Sequence, residues 1–320
     1  MCIFNASNSS TSFILTGIPH LQDQFWVGFP LFLMYLVAIF GNCIILYIIK
    51  VEEDLREPMY IFLCMLSVID LLLANTTMPR MLGIFWFNST EIFFDSCLLQ
   101  MFFIHFLSAL ESGILVAMAV DRYVAICHPL RYSSVFTEET IIKISLIILL
   151  RGALVMIPIP LLIKRLPFCE NNVLTHSYCL HQELMKLTSA DNKVNVVYGL
   201  FIILSIMGID SLFIALSYLL IIRAVVDLVE EASLKAFSTC AAHICAVLVY
   251  YIPLIGLSVV HRFGINEVFP TLHIFFGNVY LLVPPVINPI VYGIKTKEIR
   301  SRLRKIFCSK KHWIKTGGDL

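Results

Sequence analysis

Ionisable side chains inside long apolar segments are the residues of this chain that could carry chemistry. Asp70, His105 and Glu111 each lie in an apolar stretch, and the triplet Asp121-Arg122-Tyr123 closes the stretch that contains His105. A charged group at lipid depth is costly, so it faces a bundle interior or an aqueous cavity and takes a polar partner there. Such positions suit ligand binding, ion binding or a conformational switch.

The composition indicates that these segments cross a membrane. Of 320 residues, 59% are hydrophobic and 14% are charged, whereas a soluble domain has about 25% charged residues. The chain is therefore expected to be a membrane protein that crosses the bilayer several times. Together with the seven spans that follow, this predicts an all-α fold, a seven-transmembrane helix bundle. Hydropathy places spans 1 to 7 at residues 27–49, 58–83, 97–127, 141–163, 194–222, 236–260 and 269–293.

The distribution of basic residues sets the orientation. Residues 1–26 contain no Lys or Arg, whereas the tail after Lys295 is densely basic. By the positive-inside rule, residues 1–26 form an extracellular N-terminus, residues 27–294 the bundle and residues 295–320 a cytoplasmic tail. The tail alternates basic and apolar residues over 296–307, which predicts a short amphipathic helix in contact with lipid of the inner leaflet.

The outer side carries sites that an extracellular location permits. Asn5, Asn8 and Asn88 begin glycosylation sequons and are expected to be modified. The longest connection, residues 164–193, is called the outer loop here, and it contains Cys169 and Cys179. Disulfides are permitted in this compartment.

Polar groups recur near the middle of several spans. Asp70 and Glu111 are predicted at similar depth in spans 2 and 3, with Asn42 in span 1 and Asn288 in span 7. Two carboxylates at that depth must share a cation, a proton or a polar network. Pro253 interrupts span 6 and provides a pivot for that helix.

Span 6 also carries a polar face toward its outer end. Tyr251, Ile255, Ser258 and Arg262 follow spacings of four, three and four residues, which places them on one side of a helix. Arg262 either extends to the membrane interface or forms two hydrogen bonds with a carboxylate. His105 either packs within the bundle or lines a pocket.

Five motifs in order give the chain a family resemblance. Seven spans with Asp121-Arg122-Tyr123 at the inner end of span 3 resemble a rhodopsin-like G-protein-coupled receptor. The additional motifs resemble olfactory receptors, and His261-Arg-Phe-Gly264 with the long outer loop is similar to their class I, or fish-like, branch. These motifs are residues 58–63 (PMYIFL), 118–127 (MAVDRYVAIC), 217–218 (SY), 235–243 (KAFSTCAAH) and 288–292 (NPIVY).

The resemblance implies a multi-pass plasma-membrane receptor that binds a small odorant and activates a stimulatory heterotrimeric G protein to raise cyclic AMP. It implies a disulfide between Cys97 and Cys179. It also implies a second pair within the outer loop, but Ser189 stands where the partner of Cys169 is expected, so Cys169 is either free or joined to Cys2. It also implies an inner switch at the cytoplasmic end of the bundle, in which Arg122 is released when span 6 moves outward and opens a groove for the G protein. The alternative is that the ion pair of Arg122 with Asp121 only anchors the helix at the membrane interface. The switch residues would be Asp121, Arg122, Tyr123, Tyr218, His243, Asn288, Pro289 and Tyr292.

Ions and ligands follow from the same resemblance. A sodium ion at Asp70 and Glu111 is the alternative to a protonated, hydrogen-bonded acid pair, and no other cofactor is expected. The hypothesis for the ligand is a short- to medium-chain carboxylic acid, and the alternative is a non-acid odorant or metabolite. The predicted ligand-binding residues are Arg262, Ser258, His105, Gln182, Phe106, Gly199, Ile202, Tyr251, Leu254 and Ile255.

Other classes of protein fit the sequence less well. A transporter would predict repeats in matching halves, and the two halves of this sequence show no similarity. An intramembrane enzyme could use Asp70 and Glu111, but no HExxH, GxSxG or P-loop motif is present, so no catalytic residue is predicted. An amine receptor would need an acid where Ala109 stands. No nucleic-acid partner is expected.

Overall fold

The computed structural model describes residues 12–17, 24–168, 172–188, 191–226, 230–262 and 270–305. Within these ranges, the side chains of residues 54, 230–239, 261–262 and 270–271 are not described. The predicted glycosylation sites Asn5 and Asn8, and the cysteines Cys2 and Cys169, therefore lie outside the described residues.

Long helices form the predicted membrane bundle. Six are long and apolar enough to cross a membrane, and a pair bent by 47° forms the seventh span, so the predicted fold class is confirmed. The helices are Gly28–Val51 in span 1, Pro58–Phe87 in span 2, Phe94–Cys127 in span 3, Glu138–Met156 and Pro158–Lys164 in span 4, Lys193–Ile202 and Ile209–Val226 in span 5, Glu230–Arg262 in span 6, and Pro270–Leu282 and Pro284–Lys295 in span 7.

Local sequence explains where several helices begin, bend and widen. Thr137 caps span 4, because its hydroxyl accepts a hydrogen bond from the Thr140 backbone N–H at 3.3 Å. Pro284 and Pro285 lack backbone N–H groups, and the bend in span 7 lies just before them. Span 5 contains a π-helical segment, Ile203–Gly208, between its two α-helical parts. Such a wide turn often occurs at a functional site.

Span 3 is the centre of the bundle. Of its most apolar window, 67% is buried, against 22% to 56% for the other five unbroken spans. It contacts spans 2, 4, 5 and 6. The polar residues on this helix therefore face protein rather than lipid.

A small sheet that the sequence did not predict closes the outer end. Strand β1, Ser12–Leu15, pairs antiparallel with β2, Glu91–Phe93, and parallel with β3, Val173–Leu174. The three strands come from the N-terminal segment, the connection after span 2 and the outer loop. Their pairing requires these segments to lie on the same side of the membrane, which agrees with the orientation predicted from charge.

The outer loop is joined covalently to span 3. Cys97 and Cys179 form a disulfide with their Cα atoms 5.5 Å apart, as the resemblance predicted. Gln100, one turn further along span 3, accepts a hydrogen bond from the backbone N–H of Cys179 at 3.1 Å. Residues 180–188 are therefore held across the outer end of the bundle.

The two predictions for the ends of the bundle fall in described regions. Asn88 is exposed at the end of span 2, so its sequon is accessible, although its glycosylation remains a prediction. Residues 297–305 are helical after span 7. Ile299 of this helix is buried, and Arg302 forms an ion pair with Glu52 at 2.9 Å.

We predict that changing Cys97 and Cys179 together to Ser greatly lowers the surface level of the protein. Loss of a native disulfide costs about 2–5 kcal/mol, and here the bond closes a separation of 82 residues. Flow cytometry of an epitope-tagged chain measures the effect. Cys43→Ser is the matched control, because Cys43 is a free, exposed cysteine. Equal surface levels of the double variant and the control would contradict the prediction.

Candidate functional site

A cavity of about 340 Å³ lies beneath the outer loop, between spans 3, 4, 5, 6 and 7. Its volume is at the low end of the range of about 300–1,000 Å³ for small-molecule sites. It is lined by His105, Ser108, Ala109, Met156, Ile159, Leu180, His181, Gln182, Met185, Val196, Gly199, Ile202, Ile203, Ile206, Met207, Tyr250, Leu254, Leu257, Ser258 and Tyr280. The cavity suits a small, largely apolar molecule.

The structure brings six of the predicted ligand-binding residues into this lining. They are His105, Gln182, Gly199, Ile202, Leu254 and Ser258. Two of them carry a buried polar atom with no hydrogen-bond partner among the described residues, namely His105 Nε2 and Gln182 Oε1. Such atoms cost free energy unless a ligand or water satisfies them.

Three predicted residues are outside the lining. Phe106 stacks on Phe102 with ring centroids 5.4 Å apart and packs near Gly152. Tyr251 is hydrogen-bonded to Ser112, and Ile255 is 48% exposed.

Ile255, which the spacing places on one face of span 6 with Ser258, is not among the residues that line the cavity. Span 6 contributes Leu254, Leu257 and Ser258 to the cavity. With 3.6 residues per turn, Ser258 lies at one edge of this cavity-facing side, and Ile255 lies beyond that edge. The side chain of Arg262, one turn beyond Ser258, lies outside the described residues.

The inner end of span 3 holds a buried ion pair. Arg122 donates from Nε to Asp121 Oδ2 at 2.9 Å, and Asp121 Oδ1 accepts from Tyr132 at 2.7 Å. Asp121 is fully buried and Arg122 is 8% exposed. Both charged groups are thereby withdrawn from solvent.

Spans 3, 5 and 6 are linked just above this pair. His243 Nδ1 lies 2.6 Å from the Tyr218 hydroxyl, and His243 Nε2 lies 3.0 Å from the Leu115 carbonyl. Tyr292 is buried nearby and contacts Met118. An apolar cluster of Ile221, Val225 and Cys240 packs below against Tyr123. Movement of span 6 away from span 3 would break these contacts together.

The mid-membrane polar residues are all buried. Asn288 donates from Nδ2 to both oxygens of Asp70, at 3.3 and 3.1 Å. Asn42 donates to the carbonyls of Ala38 and Pro285. The side-chain oxygens of Asn42 and Asn288 are buried without a hydrogen-bond partner among the described residues.

Comparisons with known proteins agree with this arrangement. Residues 31–310 match the olfactory receptor family. The chain is 58% identical to human Olfactory receptor 51E1 over 301 residues, which is 94% of each chain. It is also 58% identical to rat Olfactory receptor 51E2 over 313 residues, which is 96% of this chain and 97% of the relative.

The chain belongs to the olfactory receptor family. It is an odorant-sensing, G-protein-coupled receptor of class I and a multi-pass protein of the plasma membrane. The family is not enzymatic, so the enzyme alternative is set aside.

The sequence reasoning missed several polar residues of the cavity. Tyr250 and Tyr280 both hydrogen-bond to the Ser108 hydroxyl, the former at 2.8 Å. These contacts join spans 3, 6 and 7 at the cavity floor. Ser108 stands three residues after His105, and His181 stands next to Gln182. Helical spacing and adjacency to predicted residues could therefore have identified both as lining residues.

A second missed feature is a charged network below that floor. Arg151 in span 4 forms two hydrogen bonds of 2.6 Å with Asp210 in span 5. Asp210 also accepts from Ser112 at 2.6 Å, and Ser112 lies 2.8 Å from the Tyr251 hydroxyl. Four spans of the olfactory receptor thus share one polar network between the odorant cavity and the inner end.

We predict that Arg151→Met strongly destabilises the olfactory receptor and that adding Asp210→Asn restores most of the loss. Leaving a buried charge without its partner costs about 3–5 kcal/mol, and the lower end is expected because the Arg151 side chain is 32% exposed. Thermal unfolding of purified receptor in detergent measures both variants.

The control for this pair is Lys143→Met, which breaks the exposed ion pair with Glu139. Its effect should be below about 1 kcal/mol. The interpretation fails if Asp210→Asn added to Arg151→Met lowers stability further.

Proposed function

We propose that this olfactory receptor detects a short- to medium-chain carboxylic acid and raises cyclic AMP through a stimulatory heterotrimeric G protein. The observation that supports the ligand class is the position of Arg262, the last helical residue of span 6, one turn beyond the cavity-lining Ser258. Residues four apart lie on the same helical face. Arg262 therefore lies one turn beyond Ser258 toward the outer side, at the edge of the cavity-facing side that is nearer to Ile255.

The proposed binding mode divides the ligand into two parts. Arg262 pairs with the carboxylate, and Ser258, Gln182 and His105 supply hydrogen bonds. A charge-assisted hydrogen bond is worth about 1.5–3 kcal/mol. The apolar wall, which includes Ile202 and Leu254, contributes about 0.8 kcal/mol for each tail methylene that it buries. Affinity should rise with chain length until the cavity is full.

A non-acid odorant is the second candidate. Among the described residues, the lining contains hydroxyl, amide and imidazole groups but no Asp, Glu, Lys or Arg. An alcohol could satisfy the buried atoms of His105 and Gln182 without any cation, because a hydroxyl donates as well as accepts and the amide oxygen of Gln182 needs a donor. The role of Arg262 decides between the two candidates.

We predict that Arg262→Ala shifts the cyclic AMP response to straight-chain acids to higher concentrations, because a carboxylate in the cavity would lose its cation. Loss of about 1.5–3 kcal/mol corresponds to a right shift of about 10- to 150-fold in half-maximal concentration. Dose–response curves for acids and for the matching alcohols, at equal surface expression, measure the effect.

Lys193→Ala is the matched control for this substitution, because Lys193 is basic, 86% exposed and outside the cavity lining. It should leave the response to acids unchanged. A normal acid response of Arg262→Ala excludes the carboxylate mode, and a response of the wild type to alcohols alone favours the second candidate.

The proposed signalling step starts from the buried Asp121–Arg122 pair. Outward movement of span 6 about Pro253 would separate His243 from Leu115 and uncover the cluster of Ile221 and Cys240. Arg122 would then reach a groove that receives the G protein. The contacts described above support this order of events, because among the described residues the hydrogen bonds between span 6 and span 3 lie at this inner end, at the cavity floor and just below the floor.

A sodium ion at Asp70 and Glu111 also forms part of the proposal. The donor set fits a small hard cation, since Asp70 and Glu111 are buried carboxyls, and Asn288, which hydrogen-bonds to Asp70, keeps a buried amide oxygen with no hydrogen-bond partner among the described residues. Carboxylates and amide carbonyls are suitable ligands for such ions. When bound, the ion would balance charge at mid-membrane, and Asn288 would hold Asp70 in place.

We predict that sodium chloride raises the unfolding temperature of the receptor relative to choline chloride and that Asp70→Asn removes this difference. A ligand that binds only the folded state stabilises it, and a shift of the order of 1–3 °C is expected. Asp95→Asn is the control, because Asp95 is an exposed acid at the outer end of span 3. Equal unfolding temperatures of the wild type in the two salts would show that the acids are protonated instead.

A further inference from the structure

A cluster of two histidines and one glutamate lies apart from the odorant cavity, at the contact between the outer loop and span 7. His176 and Glu183 come from the loop, and His273 comes from span 7. All three are buried, with exposures of 0%, 3% and 2%. One nitrogen of each histidine and one carboxylate oxygen lie within 4.8 Å of one another.

The ligand atoms are arranged around one point. His176 Nε2 is 2.9 Å from His273 Nδ1 and 3.9 Å from Glu183 Oε1, and the two rings meet edge to face at 74°. In a tetrahedral zinc site with bonds of 2.0–2.1 Å, nitrogen ligands lie about 3.3 Å apart. The observed pair needs to separate by only a few tenths of an ångström.

We propose that His176, His273 and Glu183 form a binding site for a divalent transition metal, with Zn²⁺ as the expected ion, that fastens the outer loop to span 7. Two histidines and a glutamate are an established zinc donor set with a fourth position open to water. The inference does not depend on the identity of the odorant.

The charges around Glu183 are compatible with metal binding. Thr175 donates to Glu183 Oε2 at 2.5 Å and would remain as a support behind the metal ligand. Lys186 donates to Oε1 at 2.6 Å, and its side chain is 42% exposed, so it can turn into solvent when the metal takes that oxygen. Burial raises the pKa of Glu183, but the positive charge of Lys186 and the hydrogen bonds from Lys186 and Thr175 act against burial and hold the pKa below its usual range. The carboxylate is therefore ionised at neutral pH.

The protonation of the two rings also permits coordination. Burial lowers the pKa of His176 to about 4, against the opposing effect of Glu183, so its imidazole is neutral at pH 7 and needs no proton removed. The hydrogen bond between the rings places a proton on His176 Nε2 or on His273 Nδ1. That ring must move its proton to its other nitrogen, which changes the tautomer and not the net charge.

The location gives the metal a structural consequence. The loop helix His181–Lys186 carries Glu183 toward the cluster, while His181, Gln182 and Met185 of the same helix line the odorant cavity. A metal bridge to span 7 would hold that helix over the cavity. The disulfide of Cys179 fixes its other end to span 3.

The test is thermal unfolding of the purified full-length receptor after chelator treatment, with and without Zn²⁺. Zn²⁺ in the micromolar range should raise the unfolding temperature by at least about 2 °C. His176→Gln and His273→Gln should lose this shift. His128→Gln is the control, because His128 lies at the inner end of span 3, and it should keep the shift.

A second measurement covers the case in which these variants fail to fold. Co²⁺ added to the chelated wild type should give the visible absorption of a metal held by nitrogen and oxygen ligands, and Zn²⁺ should displace it. Absence of both the Zn²⁺ shift and the Co²⁺ absorption in the wild type overturns the site. A Zn²⁺ shift that persists in folded His176→Gln and His273→Gln overturns it as well.

Discussion

The requirement that charge at lipid depth be paired within protein governs this receptor. Arg151 and Asp210 satisfy each other between spans 4 and 5, and Asp121 satisfies Arg122 at the inner end. The first pair is hydrogen-bonded to Ser112 of span 3, the most buried of the six unbroken spans, and the second pair belongs to span 3 itself. Removing one member exposes the other to an apolar surrounding. The spans therefore cannot rearrange independently, and the polar contacts define which movements are permitted.

The odorant cavity and the inner switch are connected by this requirement. Ser112 and Tyr251 continue the Arg151–Asp210 pair up to the level just below the cavity floor, while His243 joins span 6 to span 3 further in. A ligand that shifts span 6 changes both contacts, because both belong to one helix. The coupling needs differential contacts in two states, and these hydrogen bonds are suitable ones.

Topology and local motifs were predictable from sequence because hydropathy, basic residues and cysteines act over short stretches or by compartment. The seven spans, their orientation and the Cys97–Cys179 bond follow from such signals and the family resemblance. The pairing of Arg151 with Asp210 was not predictable, since 59 residues separate them and no sequence pattern in either span identifies its partner in the other. The exposure of Ile255 depends on how span 6 is oriented in the bundle, and the spacing of residues along the helix does not determine that orientation. The π-helical turn Ile203–Gly208 has no periodic signal.

The strand order β2-β1-β3 has a consequence for biosynthesis. The middle strand is made first, but its parallel neighbour emerges only after span 4, about 160 residues later. Until then the translocated N-terminal segment retains an open edge, which is a site for pairing with other chains. Exit of this protein from the endoplasmic reticulum should therefore depend on chaperones that shield that edge while the later helices insert.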